Sequence, residues 1–181
     1  NIEGDKEQYL TAVTWSPDSK YIFVGVLNRE QNHMKMNQYD AVTGNLVKTL
    51  FEETSDKYVE PQHPLLFFPN SNTDFIWQSQ RTGYNHLFHY SLEKGLIAQI
   101  TKGDWLVTDI LGFNEKKKEI YYASTQESPM ERHLYRINWN NFKTQKLSAA
   151  PGMHTGILSK DGTQLYDIYS NATTPRPDNL L

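Results

Sequence analysis

Four segments of this chain repeat one plan, and that periodicity constrains the fold more than any other feature. Each copy has an aromatic or aliphatic anchor, a polar turn and an apolar run. The first is Trp15-Ser16-Pro17-Asp18-Ser19-Lys20 leading into Tyr21-Ile22-Phe23-Val24, and the second is Phe68-Pro69-Asn70 leading into Phe75-Ile76-Trp77. The third is Phe113 through Lys118 leading into Ile120-Tyr121-Tyr122-Ala123, and the fourth is Leu158-Ser159-Lys160-Asp161-Gly162 leading into Leu165 through Tyr169. An apolar residue stands seven positions after every anchor, at Ile22, Phe75, Ile120 and Leu165, and the anchors are 53, 45 and 45 residues apart. Four-stranded propeller blades produce a period of this length. Pro17 pre-sets the second turn position, and Gly162 accepts a positive φ without steric cost.

Each full repeat supplies two further strands. The third strands read Met34 to Tyr39, His86 to Tyr90 and His133 to Ile137, and the fourth Asn45 to Leu50, Leu96 to Thr101 and Thr144 to Leu147. Gly44 and Gly95 occupy matching hairpin positions. Several runs alternate apolar and polar residues, and no segment carries a 3.6-residue apolar stripe. The 11 Tyr, 8 Phe and 4 Trp suit half-buried pleated surfaces. The expected class is all-β: a partial β-propeller of about three and a half four-stranded antiparallel blades, at roughly 10–53, 63–103 and 108–148, with a half-blade at 153–170. The repeats begin before a first strand and break off after two strands of the fourth copy. The expectation is therefore a piece of a longer polypeptide that exposes apolar faces and associates when alone.

The chemistry of known catalytic motifs is missing from the sequence. Without cysteine there is no thiol nucleophile, disulfide or Cys-ligated zinc. No Gly-x-Ser occurs, so there is no nucleophile elbow, and the glycines fit no phosphate loop. His86 and His89 fall on opposite faces of a strand, and His33, His63, His133 and His154 read as satisfied or surface residues in unrelated repeats. No catalytic residue, metal site or cofactor is assigned. A net charge of -3 gives no reason to expect nucleic acid, Lys116-Lys117-Lys118 reads as a solvated turn, and no apolar run is long enough for a membrane span. Glu52-Glu53 is the one adjacent carboxylate pair; it closes an outer strand and reads as a solvated loop end. Asn171-Ala172-Thr173 matches a glycosylation acceptor, a pattern frequent by chance.

Three strings carry a resemblance. Gly83 through Phe88, with Ile100-Thr101-Lys102-Gly103-Asp104-Trp105-Leu106-Val107, is similar to Gly-x-x-His-Leu-Tyr followed by Leu/Ile-Thr-x-Gly-x-Trp-x-Val. Ser128-Pro129-Met130-Glu131-Arg132-His133-Leu134-Tyr135 is similar to Ser/Thr-Pro-x-Glu-x-His-Leu-Tyr. Both patterns belong to the dipeptidyl peptidase IV family, in the prolyl oligopeptidase clan of serine peptidases. Tyr58-Val59-Glu60-Pro61-Gln62-His63-Pro64 resembles its bacterial branch, and the likeness runs from about Val13 to Pro177.

The resemblance implies an eight-bladed propeller capping a C-terminal α/β-hydrolase domain that holds the Ser-Asp-His triad. It implies removal of N-terminal X-Pro or X-Ala dipeptides, peptide substrates, a homodimer, and an exported, periplasmic or cell-surface location. The family's amine-anchoring Glu-Glu motif follows a Trp-x-Tyr context that Glu52-Glu53 lack, so it is not transferred. A family loop lining extended subsites matches Tyr58 to Pro64, making Tyr58, Val59, Glu60 and His63 the candidate peptide contacts. The family's Arg-Phe-Arg string is absent there, and an ordinary blade linker is the alternative. The rival to a peptidase segment is a stand-alone interaction propeller of TolB or WD type; a carbohydrate-binding propeller is a third reading.

Overall fold

The apolar runs become the middle strands of four antiparallel sheets. The computed structural model describes residues 2–174 and 178–181; positions 175–177, the end of the stretch of resemblance, lie outside the described residues. No helix occurs among the described residues. The first sheet is β1 (Tyr9–Trp15), β2 (Tyr21–Leu27), β3 (His33–Asp40) and β4 (Leu46–Thr54), paired in that order. The second is β5 (Leu66–Phe67), β6 (Asp74–Ser79), β7 (His86–Ser91) and β8 (Gly95–Gln99). The third is β9 (Val107–Asn114), β10 (Glu119–Ser124), β11 (His133–Asn138) and β12 (Thr144–Lys146). The fourth is β13 (Met153–Leu158), β14 (Leu165–Ser170) and β15 (Asp178–Leu180).

The turn chemistry of the repeat is visible in the backbone. Ser19 N–H donates to Ser16 O at 2.9 Å and Gly162 N–H to Ser159 O at 2.8 Å. Ser19 (φ 58) and Gly162 (φ 68) both adopt the left-handed conformation that closes the turn. Gly162 is constrained twice, because a Cβ there would meet Phe113 O at 2.1 Å, whereas one at Gly44 (φ 74) would meet nothing within 4 Å.

Two features depart from the sequence reading. The fourth sheet has a third strand: Asp178, Asn179 and Leu180 pair with Ile168, Asp167 and Tyr166. A three-residue strand, Asp-Asn-Leu, is too short for alternation to reveal it; backbone pairing with the edge of β14 forms it. In addition, β4 continues through Glu52 and Glu53 to Thr54 instead of ending near Leu50.

The chain divides into two compact units, one containing residues up to Gly83 with Leu87–Gln99, the other Tyr84–His86 with the residues from Ile100 onward. In the first unit, Phe23, Met34, Met36, Phe75 and Trp77 have no solvent exposure. Each large side chain buried this way contributes about 1.5–3 kcal/mol. Phe67 bridges Phe23 at 5.6 Å and Phe75 at 5.7 Å, so rings from the first two sheets share one core. In the second unit, Tyr121, Ala123, Leu134 and Leu165 form a core flanked by Leu111, Leu147 and Leu158. Gly162→Ala is expected to cost roughly 3 kcal/mol, combining left-handed strain with a backbone clash, and Gly44→Ala only about 1 kcal/mol. Urea unfolding of the two variants tests this; equal losses would contradict it.

Candidate functional site

The enlarged interval between the first two repeats builds a cavity in the first unit. After β4, Ser55 N–H donates to Asn32 O at 3.0 Å and Val59 N–H to Gln31 O at 2.7 Å, pinning the segment to the hairpin between β2 and β3. Val59 is 8% exposed and joins the core, while Tyr58 is 61% exposed. Glu60 is also exposed. The alternation out, in, out places Tyr58 and Glu60 on one side of an anchored segment.

A cavity of about 230 Å³ opens beside that segment, lined by Glu52, Glu53, Tyr58, Val59, Glu60 and Arg81 among others. A second, of about 560 Å³, lies against Tyr9, Leu27, Val59 and Glu60. Val59 and Glu60 line both and form the partition. Of the four candidate contacts, Tyr58, Val59 and Glu60 gather at the first cavity; His63 lines neither.

Glu52-Glu53 proves different from the solvated loop end expected of it. Glu53 is buried, and its Oε1 accepts from Trp77 Nε1–H at 2.7 Å and from the Arg81 guanidinium. Arg81 also donates to Tyr90 Oη at 2.6 Å and through Nε to Ser79 Oγ at 3.1 Å. Its guanidinium carbon lies 4.9 Å from the Phe88 ring centroid and 5.6 Å from that of Tyr90. Burial opposes the positive charge on Arg81, but the Glu53 carboxylate and Tyr90 outweigh it and hold its pKa above the ordinary value. Burial likewise raises the Tyr90 hydroxyl, against the opposing pull of Arg81. Glu52 points elsewhere, to His33 Nε2 at 2.6 Å and Lys35 Nζ at 3.8 Å. Glu52 pairs with Lys35 and Glu53 with Met34 in regular register, so strand alternation turns the two carboxylates to opposite faces of the sheet.

The histidines are not scattered among unrelated repeats. His33, His86 and His133 each open the third strand of a sheet and precede the buried Met34, Leu87 and Leu134. Two of them make the same bond to a hydroxyl fifteen residues on. His86 Nδ1 lies 3.0 Å from Thr101 Oγ1, and His133 Nδ1 lies 2.9 Å from Ser148 Oγ. The recurring dipeptides His-Met, His-Leu and His-Leu carry that signal. His89 bonds Asp74 at 3.0 Å, and His154 sets Nδ1 against Asp167 at 2.8 Å and Nε2 against Ala150 O at 2.8 Å. Among the described residues no group of three or more His, Asp or Glu side chains could hold a metal ion. The Asn171 amide, just after β14, is engaged by the segment before β13, Nδ2 donating to Pro151 O at 3.0 Å.

Comparison with known proteins decides the family. The model of the "Dipeptidyl peptidase IV (DPP IV) N-terminal region" matches residues 1–176. The chain belongs to the dipeptidyl peptidase IV family. A crystal structure of a candidate dipeptidyl aminopeptidase IV from Bacteroides ovatus is 38% identical and superposes with a TM-score of 0.89 over 97% of this chain and 27% of that one. Porphyromonas gingivalis dipeptidyl peptidase 4 is 25% identical, with a TM-score of 0.88 over 99% of this chain and 25% of its own. A probable dipeptidyl-aminopeptidase B of Aspergillus oryzae is 30% identical over 94% of this chain and 20% of its own length. The chain thus spans about a quarter or less of the proteins it matches, and its sheets are those of a partial β-propeller.

The recurring histidine generates a pH prediction. Burial holds the His86 imidazole below its ordinary pKa, against the Gly103 carbonyl that favours the proton. Nε2–H donates to Gly103 O at 2.9 Å, and Nδ1 accepts from Thr101. The unfolded chain takes up a proton near pH 6.5, where the folded one does not, so this contribution is complete above about pH 6.5 and is lost as pH falls below it. The urea midpoint is expected to drop between pH 7.5 and 5.5, and His86→Gln to flatten the drop. An equal drop in the variant would contradict the assignment.

Proposed function

We propose that this chain is the non-catalytic propeller segment of a serine-type exopeptidase that removes N-terminal X-Pro and X-Ala dipeptides. The segment gates access to the peptide and helps orient it. The observation that carries this reading is a family match over residues 1–176 in a chain with no nucleophile motif of its own. The same match favours it over a stand-alone interaction propeller.

In this reading the hydrolase chemistry belongs to an α/β-hydrolase domain elsewhere in the parent polypeptide. Tyr58, Val59, Glu60 and His63 are the proposed peptide contacts. Supporting the first three is the pinned segment that sets them at a cavity mouth, with an aromatic face and a carboxylate on its outer side. Binding energy from remote parts of a peptide serves to position the reacting bond, so such contacts bear on longer substrates first. The reading includes a bacterial source, a homodimeric assembly and an exported location, each supported by the family likeness.

The test is hydrolysis of a Gly-Pro chromogenic substrate by the intact polypeptide and by this segment side by side. Activity is expected only from the former. Tyr58→Ala in the intact polypeptide is expected to raise KM for peptides of five or more residues roughly threefold, leaving the Gly-Pro chromogen unaffected. Absence of activity in the intact polypeptide would overturn the peptidase reading, and unchanged KM on long peptides would remove Tyr58 from the contacts.

A further inference from the structure

The cavity beside Tyr58 has a charge balance that discriminates among ligands. Arg81 is the one cationic side chain lining it among the described residues. Each of its three nitrogens already donates, to Ser79, Tyr90 and Glu53, and the Glu53 carboxylate meets its charge, which disfavours an anion. Glu53 is engaged on one side only. Both of its hydrogen bonds, from Trp77 and from Arg81, fall on Oε1. Oε2 receives none, although the side chain is only 8% exposed and forms part of the cavity wall. A carboxylate oxygen that no group of the protein bonds is open to a donor entering the cavity, and a charged donor satisfies it best.

The rim continues the pattern. Glu60 forms no ion pair among the described residues, whereas the charge of Glu52 is met by Lys35 and His33. Two residues before Glu60, Tyr58 exposes its ring. An exposed aromatic face next to an unpaired carboxylate attracts cations through both quadrupole and charge. At about 230 Å³ the cavity is smaller than the roughly 300–1,000 Å³ clefts that take drug-sized ligands, and suits a single side chain.

We infer that this cavity binds the cationic side chain of a lysine or arginine in a peptide ligand. Glu53 Oε2 and Glu60 accept its hydrogen bonds, and the Tyr58 ring lies against its charge. The inference deepens the peptide-orienting reading and rests on it for the carrier of the charge, but not for the charge itself. It names a preference for basic over acidic or neutral residues at the peptide position that reaches the cavity.

The Trp77 indole N–H, bonded to Glu53, provides a local reporter in NMR spectra of the chain. Titration with Nα-acetyl-lysine amide or Nα-acetyl-arginine amide is expected to shift that resonance saturably, and the neutral isostere Nα-acetyl-norleucine amide is expected to leave it in place. Glu60→Gln should weaken the affinity about fivefold and Tyr58→Ala about threefold; both positions are exposed and their substitution leaves the core intact. An equal shift by the norleucine probe, or none by either basic probe, overturns the inference. So does alaninamide binding as tightly as the acetylated lysine, since the occupant would then be a peptide amino terminus. Gly-Pro cleavage by the intact polypeptide is scored separately: activity without basic-probe binding overturns this inference alone, and basic-probe binding without activity overturns the peptidase reading alone.

Discussion

A buried carboxylate needs a counter-charge, and in the first unit that need joins two sheets. Glu53 lies at the end of β4, and Trp77, Arg81 and Tyr90 belong to the second sheet or its connection. Taking either charge out of water alone costs several kcal/mol, so neither side chain keeps its place without the other. The guanidinium is further surrounded by the rings of Phe51, Phe88 and Tyr90. Those rings belong to the same aromatic cluster, with Phe51 and Tyr90 centroids 4.6 Å apart. Electrostatics and apolar packing therefore constrain one another here. The wall of the cavity beside Tyr58 is a consequence of that pairing.

Much of this architecture is written locally. The anchors Trp15, Phe68, Phe113 and Leu158 fall at or next to the ends of first strands, and Ile22, Phe75, Ile120 and Leu165 fall in second strands. Ser-Pro-Asp and Lys-Asp-Gly behave as their turn chemistry requires, because a turn depends on three or four adjacent residues. What was illegible depends on distant partners. Glu53 reads as the polar tail of an outer strand, since its Trp77 and Arg81 partners lie 24 and 28 residues on. Strand β15 is invisible because Asp178-Asn179-Leu180 pairs through backbone groups that any sequence possesses.

The candidate site shows the same division. The sequence pointed to Tyr58, Val59 and Glu60 through an oversized interval and a family likeness, and these three line the cavity. The polar floor that determines what the cavity can hold is illegible in the sequence for the same reason as Glu53: its partners are distant along the chain. His63 belongs to the same loop resemblance; two prolines, at 61 and 64, flank it, and it lines neither cavity. The shared position of His33, His86 and His133, and the hydroxyl bond common to the last two, emerge only when strand starts are aligned, because the surrounding residues differ from sheet to sheet.

The shape and charge of the cavity beside Tyr58 both depend on the pair at its wall. A double-mutant cycle over Glu53→Gln and Arg81→Met, read by urea unfolding, measures that dependence. The two substitutions together are expected to cost at least about 2 kcal/mol less than the sum of the singles, since each single change strands the other partner's charge or donors. Strictly additive losses would contradict the account, showing that the wall is held by packing alone.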